Sequence, residues 1–259
     1  MEILDQSLYA GRLTGRLIVA QAALAYTRVR LQHASDESAN NKVCWTPLNL
    51  TVTTTNSRRS NKISPGGSVG SGGAGPHQLP LKLSKGRLAH AFKTLDRLDR
   101  FTAQIQAQLC HCLKHGIHPN EALQQAIAVA KVEAVETSID LYNSLLLPPQ
   151  FKRDRVAEFL KCCKMSEGDT RDIMQKLARD VARARGHGPN STTNASSLTE
   201  VEVQTAMDCL QHEINRLQTV SQGTLQPKQV WEMCDELVLR VAEAQMEHVL
   251  DRYGCLPQE

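Results

Sequence analysis

From Leu4 to Val29 apolar or small residues return at alternating spacings of four and three: Leu4, Leu8, Gly11, Gly15, Ile18, Ala22, Ala25 and Val29. Side chains on a strand repeat every two residues, so only a helix gathers this set onto one face. The seam contains Gly and Ala as much as Leu. Each interior Gly costs about 1 kcal/mol of helix propensity, and what it offers in return is close approach of a neighbouring helix. The pattern therefore predicts a long helix packed inside a bundle. Aromatic residues make up only 4% of the chain while Ala, Leu and Gln recur, which favours helix over a sandwich built on branched and aromatic side chains. An all-α fold with almost no strand is expected.

After His33 the periodicity dissolves into Ser, Asn and Thr and ends in SPGGSVGSGGAGP. Such a composition buries too little apolar area to offset chain entropy, so residues 35–78 read as a flexible insert. Within it, Trp45 is the residue suited to dock back on the body. A second helix spans Leu81 to Lys114, with Leu88, Phe92, Leu95, Leu98, Thr102, Ile105, Leu109 and Cys112 on one face. HPNEALQQ opens a third at Pro119 or Asn120, with Glu121 at its positive end, and Pro148 and Pro149 stop it. A fourth covers about 153–185, with a break at Gly168. These four make an antiparallel bundle. Residues 187–198 form a second linker. Beyond it Thr199 stands three residues before Glu202 in capping-box spacing, and a last helix from Pro227 carries Val230, Cys234, Leu237, Val241, Ala244 and His248 on one seam. The organisation expected is a bundle over 1–186 and a two-helix C-terminal extension over 199–259 that packs on the bundle or on a partner subunit.

The net charge of +3 comes from 30 basic against 27 acidic residues dispersed along the chain, so no basic stripe marks a nucleic-acid surface. No apolar run approaches the about 18 residues of a membrane span. The eight cysteines show no CxxC pair and read as thiols in a reducing, intracellular compartment. His111, His115 and His118 fall at spacings of four and three beside Cys110 and Cys112, the helical spacing at which two imidazoles share a metal. Gly116 and Pro119 end the helix there, and a polar helix end is the better reading. GGSVGSGGAG has neither a strand before it nor a GK[ST] after it, so it is no phosphate loop.

One carboxylate remains: Glu167, in the Ser166-Glu-Gly-Asp169 turn that opens the apolar stripe of TRDIMQKLARD. As local structure, the turn is a kink with Asp169 as the N-cap of the helix that follows.

Two segments together give this turn a sharper meaning. GRLTGRLIVAQAALAYTRVRLQH (11–33) and MSEGDTRDIMQKLARD (165–180), with ALQQAIAVAKVEAVETSIDLYN (122–143) between them, resemble the C-terminal helical domain of the acyl-CoA dehydrogenase and acyl-CoA oxidase superfamily in order and spacing. The resemblance covers residues 1 to about 186, and the helical pair beyond is similar to the extra helices of the oxidase branch. It implies a flavoprotein that removes an α-proton and a β-hydride from an acyl-CoA substrate, with FAD as cofactor. It maps the catalytic base onto Glu167, where a partly buried carboxylate suits, ionised yet basic enough to take a proton. It maps cofactor contacts onto Arg30, Gln32, Asp169 and Arg171, the first two often meeting the flavin diphosphate across a subunit interface. A homo-oligomer and a mitochondrial or peroxisomal setting are implied as well, although the chain shows no targeting signal. Some positions depart from the family: His33-Ala34 stands where Phe-Gly is usual, and LLLPPQFKRDRVAEF replaces a Gly-rich stretch. The chain also opens where the family's third domain opens. The other reading these departures leave is a non-catalytic helical oligomerisation or interaction module derived from the same family.

Overall fold

The computed structural model of the chain describes residues 2–39, 85–145, 155–186 and 197–255; Trp45, most of the Gly/Ser-rich insert and most of the second linker lie outside them. The described residues are all-α, as expected, without a strand. The elements are α1 (Glu2–Ala39), α2 (Lys85–Lys114), α3 (Glu121–Leu145), α4 (Arg155–Met165), α5 (Thr170–Gly186), α6 (Leu198–Val220), α7 (Pro227–Met233) and α8 (Asp235–Arg252).

α1 runs antiparallel to α2: Arg28 pairs with Asp96 at 2.7 Å and also with Asp99, while Gln21 bonds Gln106 at 2.6 Å nearer the other end. The seam of α1 differs from the one its glycines suggest. Leu13, Leu17, Ala20, Leu24, Thr27, Leu31 and Ala34 are buried, whereas Gly11, Ala25, Ile18 and Val29 are exposed, the last two at 59% each. Both sets follow the same alternation of four and three, two residues apart and thus on opposite faces of the helix. Burial selects the face that carries leucines, because each leucine removes far more apolar area from water than a Gly or Ala does.

α2 buries the face expected of it, with Phe92 and Cys112 at its margin. α3 is buried almost all round through its middle turns and forms the axis of the bundle. Asn120 caps it, its Oδ1 accepting from the Leu123 amide at 2.9 Å. The expected fourth helix is two helices, because residues 166–169 leave the helical path through Glu167 (φ 56°) and Gly168 (φ 103°).

Of the two places open to the C-terminal helices, they pack on the bundle. Met246, Val249 and Leu250 of α8 sit in one core with Leu13 and Leu17 of α1, Phe101 of α2, Ile127 of α3 and Ile173 of α5. A second core joins the other halves of α1, α2 and α3 to Leu160 and Cys163 of α4. A third joins Ala178 and Val181 of α5 to α6, α7 and α8.

Two details of this region correct the sequence reading. Ser197, not Thr199, caps α6 by accepting from the Glu200 amide at 3.2 Å. Thr199 lies inside the helix, where its hydroxyl meets His248 Nδ1 and Asp251, each at 3.2 Å. The last helix is also broken at Cys234 into α7 and α8. Its buried seam continues through Val238, Val241, Gln245, Met246 and Val249, while Leu237, Ala244 and His248 are half-buried.

Candidate functional site

The turn between α4 and α5 is built from three sides. From α3, Lys131 reaches it out of the interior: the residue is fully buried, and its Nζ donates to the carbonyls of Lys164 at 2.8 Å and Gly168 at 2.6 Å. From α1, Arg16 Nε donates to the carbonyl of Glu167 at 3.2 Å. Glu136, also on α3, accepts from Lys164 Nζ at 2.9 Å and from the Thr170 hydroxyl, tying the last turn of α4 to the first of α5. Within the turn, Ser166 Oγ donates to the Cys162 carbonyl at 2.8 Å, and Asp169 Oδ1 accepts from the Arg171 amide at 2.8 Å as the N-cap of α5.

Burial pulls the Lys131 pKa down to about 8, with the Arg16 cation lowering it further and Asp169, Glu136 and Cys163 opposing. Burial, and then Arg12, lower that of Arg16.

These contacts hold Glu167 in the left-handed region, a conformation sparsely populated by residues with a Cβ. Its side chain lies over Gly15 of α1, so close that a Cβ on Gly15 would stand 2.7 Å from Glu167 Cδ. Gly15 thus makes room for a carboxylate rather than for a neighbouring helix. Beyond Gly15 the same exposed face of α1 carries Ile18, Tyr26 and Val29. Among the described residues Glu167 is exposed, not partly buried as expected, because it stands on the outside of the turn and no described element covers it.

Two depressions flank the turn. A small one of about 100 Å³ lies between α1, α3 and α5 and is lined by Tyr9, Arg12, Arg16, Gln124, Ile173 and Lys176 among others. A larger groove of about 620 Å³ lies between α3, α5 and α8 and contains Glu136, Lys164, Asp169, Thr170, Arg171 and Glu243.

The four residues mapped as cofactor contacts divide into two places. Asp169 and Arg171 adjoin Glu167, but both are engaged within the chain, Asp169 as a cap and Arg171 with Asp235. Arg30 and Gln32 lie on α1 about 22 and about 26 Å along its axis from Gly15; Arg30 is half-buried, and Gln32 is exposed with its Nε2 on Asp36 at 3.2 Å. The described residues of one chain therefore do not fit FAD by themselves: the four contacts do not converge, and no wall closes over Glu167.

At the end of α2, the His111 and His115 rings stand 4.5 Å apart and His118 turns away to stack on Tyr9, its Nδ1 near the Pro119 carbonyl. Among the described residues no group of three or more His, Cys, Asp or Glu side chains is arranged to hold a metal, and no helix is long and apolar enough to cross a membrane.

Sequence reasoning named Glu167 and Asp169 but not Arg16, Lys131 or Glu136, which hold them. One signal was available: Lys131 is the lone cation of AIAVAKVEAV, a run that is apolar apart from it and Glu133. No protein-family model, curated protein or solved structure matches the chain.

Proposed function

We propose that the chain is a base-bearing helical domain of the acyl-CoA dehydrogenase and oxidase type, in which Glu167 takes the α-proton of an acyl thioester. The observation that supports this reading most is the strained placement of Glu167. A turn that only had to join α4 to α5 would be served at lower cost by Asn or Gly at φ 56°. A strained, non-Gly residue fixed by its surroundings is a pointer to function, and here its carboxylate is exposed on the side of α1 that also exposes Ile18 and Val29, with Tyr26 packed in part on Phe159. Carboxylate and apolar strip together suit a thioester with an acyl tail. The step assigned to this chain's own residues is the proton transfer, with Arg16, Lys131 and Glu136 holding the turn from which it occurs. FAD, the acceptor that the resemblance implies, needs walls from a second copy or from outside the described residues.

A second reading, a non-catalytic helical interaction module, is favoured by the same exposed Ile18, Tyr26 and Val29, since uncovered apolar side chains also suit a partner surface. One experiment separates the two: purify the protein in its native oligomeric state, add FAD, record the visible spectrum, and then add a saturated acyl-CoA. A bound flavin band that bleaches with substrate in the wild type and not in Glu167→Gln supports the base. A protein that takes up no flavin overturns that reading and leaves the interaction module.

A further inference from the structure

Among the described residues Lys131 is the one charged residue that is buried. Lys131 lies in the middle of α3, flanked by Ala130 and Val132, both buried. An ammonium placed there loses its hydration, and apolar replacements of buried ionic groups are often neutral or stabilising. Its hydrogen bonds show what the charge does in this position. They go to backbone carbonyls on either side of Glu167: Lys164 three residues before it and Gly168 one residue after it. With Arg16 on the Glu167 carbonyl itself, the acceptors at 164, 167 and 168 are all held by side chains from other helices. Rotation of the Glu167 backbone out of its left-handed conformation would break at least one of these bonds. The carbonyls consequently fix the direction of the Glu167 Cα–Cβ bond, which points the carboxylate at Gly15.

We propose that Lys131 is a positioning residue of this site, a buried ammonium that grips the backbone on both sides of Glu167 and so sets the direction in which its side chain leaves the turn. What the fixed carboxylate is for rests on the reading of Glu167 as a base; that Lys131 fixes it does not. The groups facing Lys131 are Arg16 from α1, Glu136 from α3, Cys163 from α4 and Asp169 from the turn. Of these, Arg16 and Glu136 are themselves bonded to the turn region. A neutral amine still carries two N–H donors for two carbonyls, so the grip does not depend on the charge state alone.

The test is hydrogen exchange, read by mass spectrometry, on wild type and Lys131→Met, a change that keeps the length of the side chain and removes its donors. Peptides covering 163–170 are expected to exchange about tenfold faster or more in the variant, while those of α6 and α8 stay as in wild type. Unchanged protection at 163–170, or an equal loss everywhere, would overturn the proposal. Should Lys131→Met fail to fold, the wild type decides by nitrogen-15 NMR of its lysine ammonium groups. A Lys131 signal shielded from water exchange is expected, and one that exchanges as fast as the surface lysines overturns the grip. A catalytic readout follows if the flavin bleaches: Lys131→Met should slow bleaching about tenfold or more with the half-saturating acyl-CoA concentration little changed, as misplacement of a reacting group does. A flavin that never binds sinks the base but leaves the exchange result to decide the role of Lys131.

Discussion

The carboxylate of Glu167 occupies the space that a side chain at Gly15 would need, at 2.7 Å from the position of a Cβ there. Gly15→Ala therefore sets two effects against each other. Helix propensity gains about 0.5–1 kcal/mol, and the displaced atoms belong to the flexible end of Glu167, which can move at little cost. Chemical denaturation should find the variant as stable as wild type or slightly more so. If Glu167 is the base, the same variant should lose flavin bleaching, a separation of stability from activity that a structural role for the pair would not produce.

Glu167 stores backbone strain at φ 56°. Asn tolerates the left-handed region better than Glu does, and Glu167→Asn should raise stability by about 0.5–1 kcal/mol, measured as a shift of the denaturant midpoint at constant slope. A loss of stability instead would mean that the Glu167 side chain contributes more through its contact with α1 than the strain costs.

Lys131 makes stability depend on pH with a sign that can be worked out. Its folded pKa is about 8 against an ordinary 10.5, so between these values the unfolded chain binds more protons than the folded one. Stability contributed through this group therefore rises with pH across that window. Comparing wild type with Lys131→Met isolates it: the difference in unfolding free energy should move in favour of wild type by about 2–3 kcal/mol between pH 7.5 and 10.5. A pH-independent difference would show that the ammonium is not desolvated in the folded state.

The two faces of α1 should respond in opposite ways to truncation. Leu24 is fully buried, and Leu24→Ala should cost about 2–5 kcal/mol through lost burial and a residual cavity. Val29 is 59% exposed, so Val29→Ala should stay within about 0.5 kcal/mol in the monomer. If the exposed strip is the homo-oligomer surface, Val29→Lys should lower the mass measured by sedimentation without altering monomer stability.

The sequence by itself determined the helices and their punctuation. Periodicity places the long helices, Asn120 announces the start of α3, and the Glu-Gly-Asp turn announces a break, because these signals act through local hydrogen bonds and backbone sterics within a few residues. It also singled out Glu167, as a carboxylate in that turn, with the role of base coming from the family resemblance. Which stripe of α1 faces inward turns on apolar area, since the Gly/Ala and the Leu stripes share one spacing and the leucines remove more of it from water. The sequence could not decide whether the C-terminal pair packs on the bundle or on a partner, or bring Arg16, Lys131 and Glu136 to the Glu167 turn. Those residues lie 151, 36 and 31 positions from Glu167 along the chain, and no local rule couples side chains so far apart. Packing of α1 and α3 against the α4–α5 junction decided it, and with it where the one strained carboxylate of the turn came to stand.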